Sequence, residues 1–244
     1  MNSAVEQLKE RVGAAERIVA LTGAGISTAS GIPDFRSASG IYSDAANVNV
    51  FDLEAFNRDP SIFYTFARTF YPQVRDAGPN AAHRALAEWQ HRGKEIVVVT
   101  QNVDDYHQRA GSTPVHTVHG NFIHSRCLAC GDCVRSETLF PLIEQGGIPR
   151  CTCGGIYKPD ITFFGEMLPE DDWNAAVDAV CRCDLLLVLG TSLTVYPAAA
   201  LPGYRPWNAG MIIVNRDPTP LDADAQLVIH DDLCDTMAAA TNLV

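Results

Sequence analysis

Hydrophobic positions along the chain gather into short, nearly unbroken runs that end in small or polar residues. Four stand out: residues 17–21 into T-G-A-G, 95–99 into T-Q-N-V-D, 184–189 into G-T-S, and 211–214 into N-R-D. Apolar runs closed by turn residues read as strands buried on both faces. Between them the apolar period becomes helical, over residues 81–91 behind Pro79 and Asn80, and over 171–180. A C-terminal stretch places Leu233, Met237 and Ala240 on one side, and Val5, Leu8 and Val12 mark a helix face near the start. Strands alternating with helices predict an α/β fold, a Rossmann-like parallel sheet with helices on both faces.

Two stretches interrupt that alternation. Residues 42–74 are rich in aromatics and read as helical, and residues 122–164 hold a cysteine cluster among turn residues. The predicted layout is a discontinuous Rossmann-like domain (1–43, 77–121 and 165–244), a small helical module (44–76) and a zinc-binding module (122–164).

In such sheets ligands bind beyond the carboxyl ends of the strands. All four ends carry glycines or polar side chains, which predicts one shared crevice. The first end reads L-T-G-A-G-I-S-T-A-S-G-I-P-D-F-R from Leu21 to Arg36. A glycine turn after a buried strand is a nucleotide loop. It is not an ordinary dinucleotide fingerprint, because Thr28 stands where a third glycine belongs and no ribose-clamping acid follows. The Arg36 guanidinium suits a phosphate or carboxylate, or a salt bridge to Asp34. Phe35 suits either a core or a lid over a reactive group.

At the second end, Gln101, Asn102 and Asp104 suit ribose hydroxyls and a carboxamide, although Asn102 and Asp104 taken alone read better as caps of the following helix. Among seven histidines, His83, His91, His107 and His124 read as helix-face or surface residues. His119 sits on a turn in V-H-T-V-H-G-N. It reads as a general base near neutral pH or as a hydrogen-bonded structural imidazole, and spacing leaves both open. Cys127-x-x-Cys130 and Cys151-x-Cys153 have nearly the spacing of a four-thiolate zinc ribbon, with Cys133 as an alternative ligand. Four thiolates would close the site, so one structural zinc is expected.

The balance of 47% hydrophobic and 19% charged residues is that of a globular protein. A net charge of −11 argues against a nucleic-acid binder and leaves an anionic cofactor to local donors. No apolar run approaches the length of a membrane span, and the N-terminus lacks the apolar core of a secretory signal. The expected compartment is the cytoplasm, where the eight cysteines would be thiols rather than disulfides. Oligomeric state is not legible.

Together the motifs resemble the sirtuin family of NAD-dependent protein deacylases, in the family's order from about residue 18 to residue 232. G-A-G-I-S with G-I-P-D-F-R is similar to the family's cofactor loop. T-Q-N-V-D and His119-Gly120 are similar to its catalytic motifs, and the cysteine pairs to its zinc module. P-D-I-T-F-F-G-E at 159–166 is similar to its substrate strand, and G-T-S-L-T-V-Y-P and V-N-R-D complete the series. The resemblance implies NAD and one structural zinc as cofactors, and acyl-lysine proteins or peptides as substrates. It implies catalytic roles for His119 and Asn102, with His119 as base on a ribose hydroxyl. Gly23, Ala24, Gly25, Thr28, Asp34, Phe35, Arg36, Gln101, Val103 and Asp104 would hold the cofactor, its diphosphate against the backbone donors of 23–27. Gly190, Thr191, Ser192, Asn215 and Asp232 would hold its adenosine end. Phe164, Gly165, Glu166 and Val195 would pair with substrate. Products would be free lysine, nicotinamide and O-acetyl-ADP-ribose; mono-ADP-ribosyl transfer from NAD is the alternative chemistry. The chain departs from the family at Asp105 and Tyr106, where glycine and leucine are usual. It also lacks the Tyr-x-x-Arg of succinyl- and malonyl-preferring members, having Ala67 and then Arg68 after Tyr64. Deacetylation is therefore expected.

Overall fold

The computed structural model describes residues 3–35 and 37–241. In chain order it begins with α1 (Ser3–Ala14), β1 (Arg17–Thr22), α2 (Leu53–Arg58), α3 (Ser61–Asp76), α4 (Ala81–His91), β2 (Glu95–Thr100), α5 (Tyr106–Ala110) and β3 (Val115–Thr117). There follow β4 (Gly120–Cys127), β5 (Cys133–Arg135), α6 (Phe140–Glu144), β6 (Tyr157–Ile161), α7 (Glu170–Arg182), β7 (Leu185–Leu189), β8 (Gly210–Val214), β9 (Leu227–Ile229) and α8 (Leu233–Thr241).

Six strands form a parallel sheet in the order β3-β2-β1-β7-β8-β9. Alternate residues of each strand enter opposite cores. Ile18 and Ala20 of β1, with Leu185, Leu187 and Leu189 of β7, pack against α1, α4 and α8. Val19, Leu21, Leu186 and Val188 pack on the other face with Ala176 and Val180 of α7. Burial on both faces explains why the runs showed no polar alternation. The four predicted strands match to within a residue at each end. The edge strands β3 and β9 were not predicted, being three residues each.

The chain builds β1, β2 and β3 outward in one direction, then returns to build β7, β8 and β9 in the other. The reversal falls between β1 and β7, and a crevice at such a switch point is the expected ligand site. Two further bodies face it. One is an aromatic cluster in which Phe51, Phe56, Phe63 and Phe163 lie with ring centroids 5.3–6.1 Å apart. Its helices begin only at Leu53; residues 41–47 form short 3-10 turns. The other is an antiparallel sheet, β5-β4-β6, carrying the cysteines. No helix among the described residues is long and apolar enough to cross a membrane.

Candidate active site

A crevice of about 960 Å³ lies at the switch point. The end of β1 contributes Gly23, Ala24, Gly25, Asp34 and Phe35, and the end of β2 contributes Gln101, Asn102 and Val103. His119 enters after β3, Gly190, Thr191, Ser192 and Val195 after β7, and Asn215 after β8; Phe164, Gly165 and Glu166 form the far wall. Thr28, Asp104 and Asp232 do not line it. Thr28 turns its hydroxyl back onto Gly25 O at 2.9 Å. Asp232 caps α8, accepting from Asp235 N at 3.0 Å, and Asp217 occupies the crevice wall beside Asn215 instead. Arg36 lies outside the described residues.

The glycine turn works differently from the sequence reading. Of the backbone N–H groups in 23–27, Gly23 donates to Leu189 O, Gly25 to Gly190 O, Ile26 to Gly23 O and Ser27 to Ala24 O. Only Ala24 N–H is left without an acceptor among the described residues, so it is the donor of this turn that is free to meet an anion. Its glycines serve close approach: a Cβ on Gly25 would lie 2.7 Å from Gly190 O. The free donors are Ala24 N–H together with the Thr191 and Ser192 segment facing it.

Beneath this loop runs a relay. Asn102 Nδ2 donates to Ser27 Oγ at 3.1 Å, and Ser27 Oγ donates to Asp104 Oδ2 at 2.9 Å. Asp104 Oδ1 accepts from Tyr106 N at 3.2 Å, so Asp104 both caps and relays. Burial pushes the Asp104 carboxyl up to about 6, against the opposing effect of its hydrogen bonds. Tyr106, at one of the two departures from the family, is fully buried and donates its hydroxyl to Val74 O at 2.8 Å; Asp105 pairs with Arg109 at 3.6 Å.

His119 is held by its own ring. Nδ1 lies 3.0 Å from Gln101 O. A carbonyl can only accept, so Nδ1 carries the proton and neutral His119 offers its lone pair at Nε2. Burial lowers its pKa below the ordinary histidine value, with the Gln101 bond opposing. A base in that state is deprotonated at neutral pH.

Two histidines read as helix-face or surface residues prove to be internal. His83 and His107 are buried, ring to ring at 4.7 Å, with Thr22 Oγ1 on His107 Nε2 and Asn80 Oδ1 on His83 Nδ1. Burial lowers His83 to about 2 and His107 to about 4. An unfolded chain takes up these protons from about pH 6.5 downward while the folded chain refuses them, so stability is full above pH 6.5 and falls toward pH 4. Asp104 acts oppositely, because its raised pKa restores stability on acidification between about 6 and 3.8. Two imidazoles outweigh one carboxyl at about 1.4 kcal/mol per unit. Urea midpoints should therefore fall between pH 6.5 and 4, with a shallower fall in the His83→Gln/His107→Gln double variant; an unchanged slope would refute the assignment.

On the far wall, Phe164 N donates to Phe51 O at 2.7 Å and Leu53 N donates to Phe164 O at 3.1 Å. Among the described residues the backbone of Gly165 and Met167 and the N–H of Val195 have no main-chain partner, and all three residues line the crevice. Two open backbone edges are what an extended peptide needs in order to add as a strand. Phe164, Met167 and Tyr196 expose apolar surface along the rim. Of the lining residues, Tyr42, Phe51, Phe163 and Trp173 were missed, since nothing local distinguishes them from core aromatics.

The Sγ atoms of Cys127, Cys130, Cys151 and Cys153 lie within 4.8 Å of one another, with Cys127–Cys153 at 3.5 Å and Cys130–Cys151 at 3.7 Å. Tetrahedral zinc at about 2.3 Å from each sulfur requires edges of about 3.8 Å, so the four fit one structural zinc. Gly155 lies against them, where a Cβ would stand 2.6 Å from Cys127 Sγ. Cys133 is exposed on β5 and outside the cluster, so the short Cys-x-Cys spacing supplies both ligands.

A switch-point crevice with a neutral imidazole base, a buried amide–hydroxyl–carboxyl relay and a strand-accepting edge defines an enzyme that works on a nucleotide and an extended chain together. The comparisons with known proteins agree. The family model described as Sir2 family matches residues 23–197. An NAD-dependent protein deacetylase of Cutibacterium acnes is 40% identical over 98% of both chains. One of Thermotoga maritima is 43% identical over 88% of both. A solved Sir2 structure with a deacetylated p53 peptide and 3'-O-acetyl-ADP-ribose superposes with a TM-score of 0.92 at 38% identity, covering 98% of this chain and 97% of that one. The chain belongs to the Sir2 family.

Proposed function

We propose that this enzyme removes acetyl groups from protein lysines with consumption of NAD, releasing free lysine, nicotinamide and O-acetyl-ADP-ribose. The observation that carries the reading is His119, its Nδ1 committed to Gln101 O and its Nε2 free in a crevice bounded by an open peptide edge. NAD supplies the scissile glycosidic bond and the sugar that takes the acyl group. The chain's own residues do the rest. The Gly165 and Val195 edges align the peptide so that acyl-lysine enters between Phe35, Val103 and Phe163. Gln101 and Asn102 orient the cofactor's hydroxyls and amide, Ala24, Thr191, Ser192 and Asn215 hold its nucleotide end, and His119 Nε2 takes a proton from a sugar hydroxyl. Thr28 and Asp104 act behind the loop, by back-bonding and through Ser27.

Preference for a neutral acyl group rests on the helical module. Tyr64 spends its hydroxyl on Tyr157 O, Ala67 is buried and Arg68 points outward toward Gly146. No described residue lining the crevice is a lysine or arginine, so an acidic acyl chain would meet no countercharge among the described residues. The same reading divides the chain into the NAD-binding parts (1–43, 77–121 and 165–244), the helical module (44–76) and the zinc module (122–164). It places the enzyme in the cytoplasm on the thiol-ligand chemistry of its cysteines.

Incubation with NAD and matched acetyl- and succinyl-lysine peptides, followed by mass spectrometry, tests the function. Free lysine peptide with O-acetyl-ADP-ribose is expected, with acetyl turned over faster. ADP-ribose attached to the peptide would instead favour the transferase, and faster desuccinylation would overturn the acyl preference.

A further inference from the structure

Among the described residues Lys158 is the one lysine or arginine that is buried, at 5% exposure, and no step above uses it. Its ammonium donates to Ile161 O at 2.6 Å and Pro159 O at 3.2 Å, and pairs with Glu166 at 2.8 Å. It sits 4.2 Å from the centroid of the Phe163 ring. The Glu166 carboxylate also accepts from Phe163 N at 2.7 Å. Every partner comes from 159–166, so the end of β6 and the turn after it wrap around a single charge. A buried ammonium is unfavourable unless all its partners are in place, which restricts the turn to the shape that supplies them.

That turn has two working sides. Outward, it presents the open edge at Gly165 and Met167. Inward, Thr162 N donates to His119 O at 2.8 Å. Gly120, at φ 72°, lies so close under Asp160 O that no side chain fits between them. His119 is therefore seated from two directions, its ring on Gln101 O and its backbone on Thr162.

We propose that Lys158 is a positioning residue, whose charge holds 159–166 in the form that offers the peptide edge on one side and seats His119 on the other. The inference rests on the deacetylase reading. It makes the acyl peptide, not NAD, the ligand that senses the ammonium, because the free nucleotide donors at Ala24, Thr191 and Ser192 belong to other strand ends.

The test is the Lys158→Met variant, which keeps the apolar stem and deletes the charge, beside Lys158→Arg. Peptide KM should rise about tenfold or more and kcat should fall in Lys158→Met. NAD affinity, measured by calorimetry without peptide, should stay within about twofold, and Lys158→Arg should recover most of the peptide KM. A folded Lys158→Met with normal peptide KM and kcat overturns the proposal. So does a parallel loss of NAD affinity, or an arginine variant no better than methionine. If Lys158→Met does not fold, Glu166→Gln decides on the same split, because it keeps an acceptor for Phe163 N and removes the countercharge; unchanged peptide KM there is equally fatal. Failure of the unmodified enzyme to deacetylate any peptide would sink the functional reading itself, whereas an active enzyme with unaffected variants sinks only the role of Lys158.

Discussion

Replacing His119 with alanine is expected to lower deacetylation by about a thousandfold or more while leaving the fold intact, the upper range for loss of a positioned base. The ring contributes one hydrogen bond to structure, Nδ1 to Gln101 O, and the backbone contact from Thr162 survives the substitution. Melting temperature should therefore change little, and calorimetry should still detect both NAD and acetyl peptide. The unmodified enzyme should also show a rising limb of kcat/KM with pH whose inflection lies below 6.5, the direction in which burial moves His119. Near-normal turnover in the alanine variant would end the assignment of the base. Loss of NAD binding in step with turnover would make the residue structural instead.

Removal of zinc is expected to have the other large effect. The four thiolates join the end of β4 and the turn after it to the turn that leads into β6, and β6, which carries Lys158, continues into the peptide edge. Without metal, four sulfurs 3.5–4.8 Å apart have no reason to converge, and small thiolate sites take much of their folding energy from the ion. Chelation, or Cys151→Ser, should lower the melting temperature by roughly 10 °C or more and abolish peptide turnover. Metal analysis of the unmodified protein should find one zinc per chain. An apo-protein with unchanged melting and full activity would refute the structural role.

The central strands were legible because burial on both faces writes itself as an unbroken apolar run. β3 and β9 were not, because each is only three residues long, too short a run to stand out, and β3 is further broken by His116 and Thr117. The shared crevice was legible from four polar strand ends. The internal bonding of the glycine turn was not legible, because sequence cannot show Gly190 arriving beside Gly25. The same long range hid Ser27 between Asn102 and Asp104, which lie 75 and 77 positions away. It also hid the inward turn of His83 and His107, whose partners come from other elements. That Asp232 stands back from the crevice wall has a simpler reason. An acid before a helix satisfies the helix first, and α8 begins one residue later.

The position of β1 has a consequence for how the molecule is made. One edge of β1 pairs with β2, beginning at Glu95, and the other pairs with β7, beginning at Leu185. During synthesis the first edge can close early, while the second stays unpaired until more than 160 further residues have left the ribosome. Ile18, Val19, Ala20 and Leu21 lie along that waiting edge, an apolar strand with unpaired backbone of the kind that recruits other chains. Closing so wide a loop is entropically slow. The middle of the sheet, where the crevice opens, thus stays incomplete until most of the nascent chain has been made.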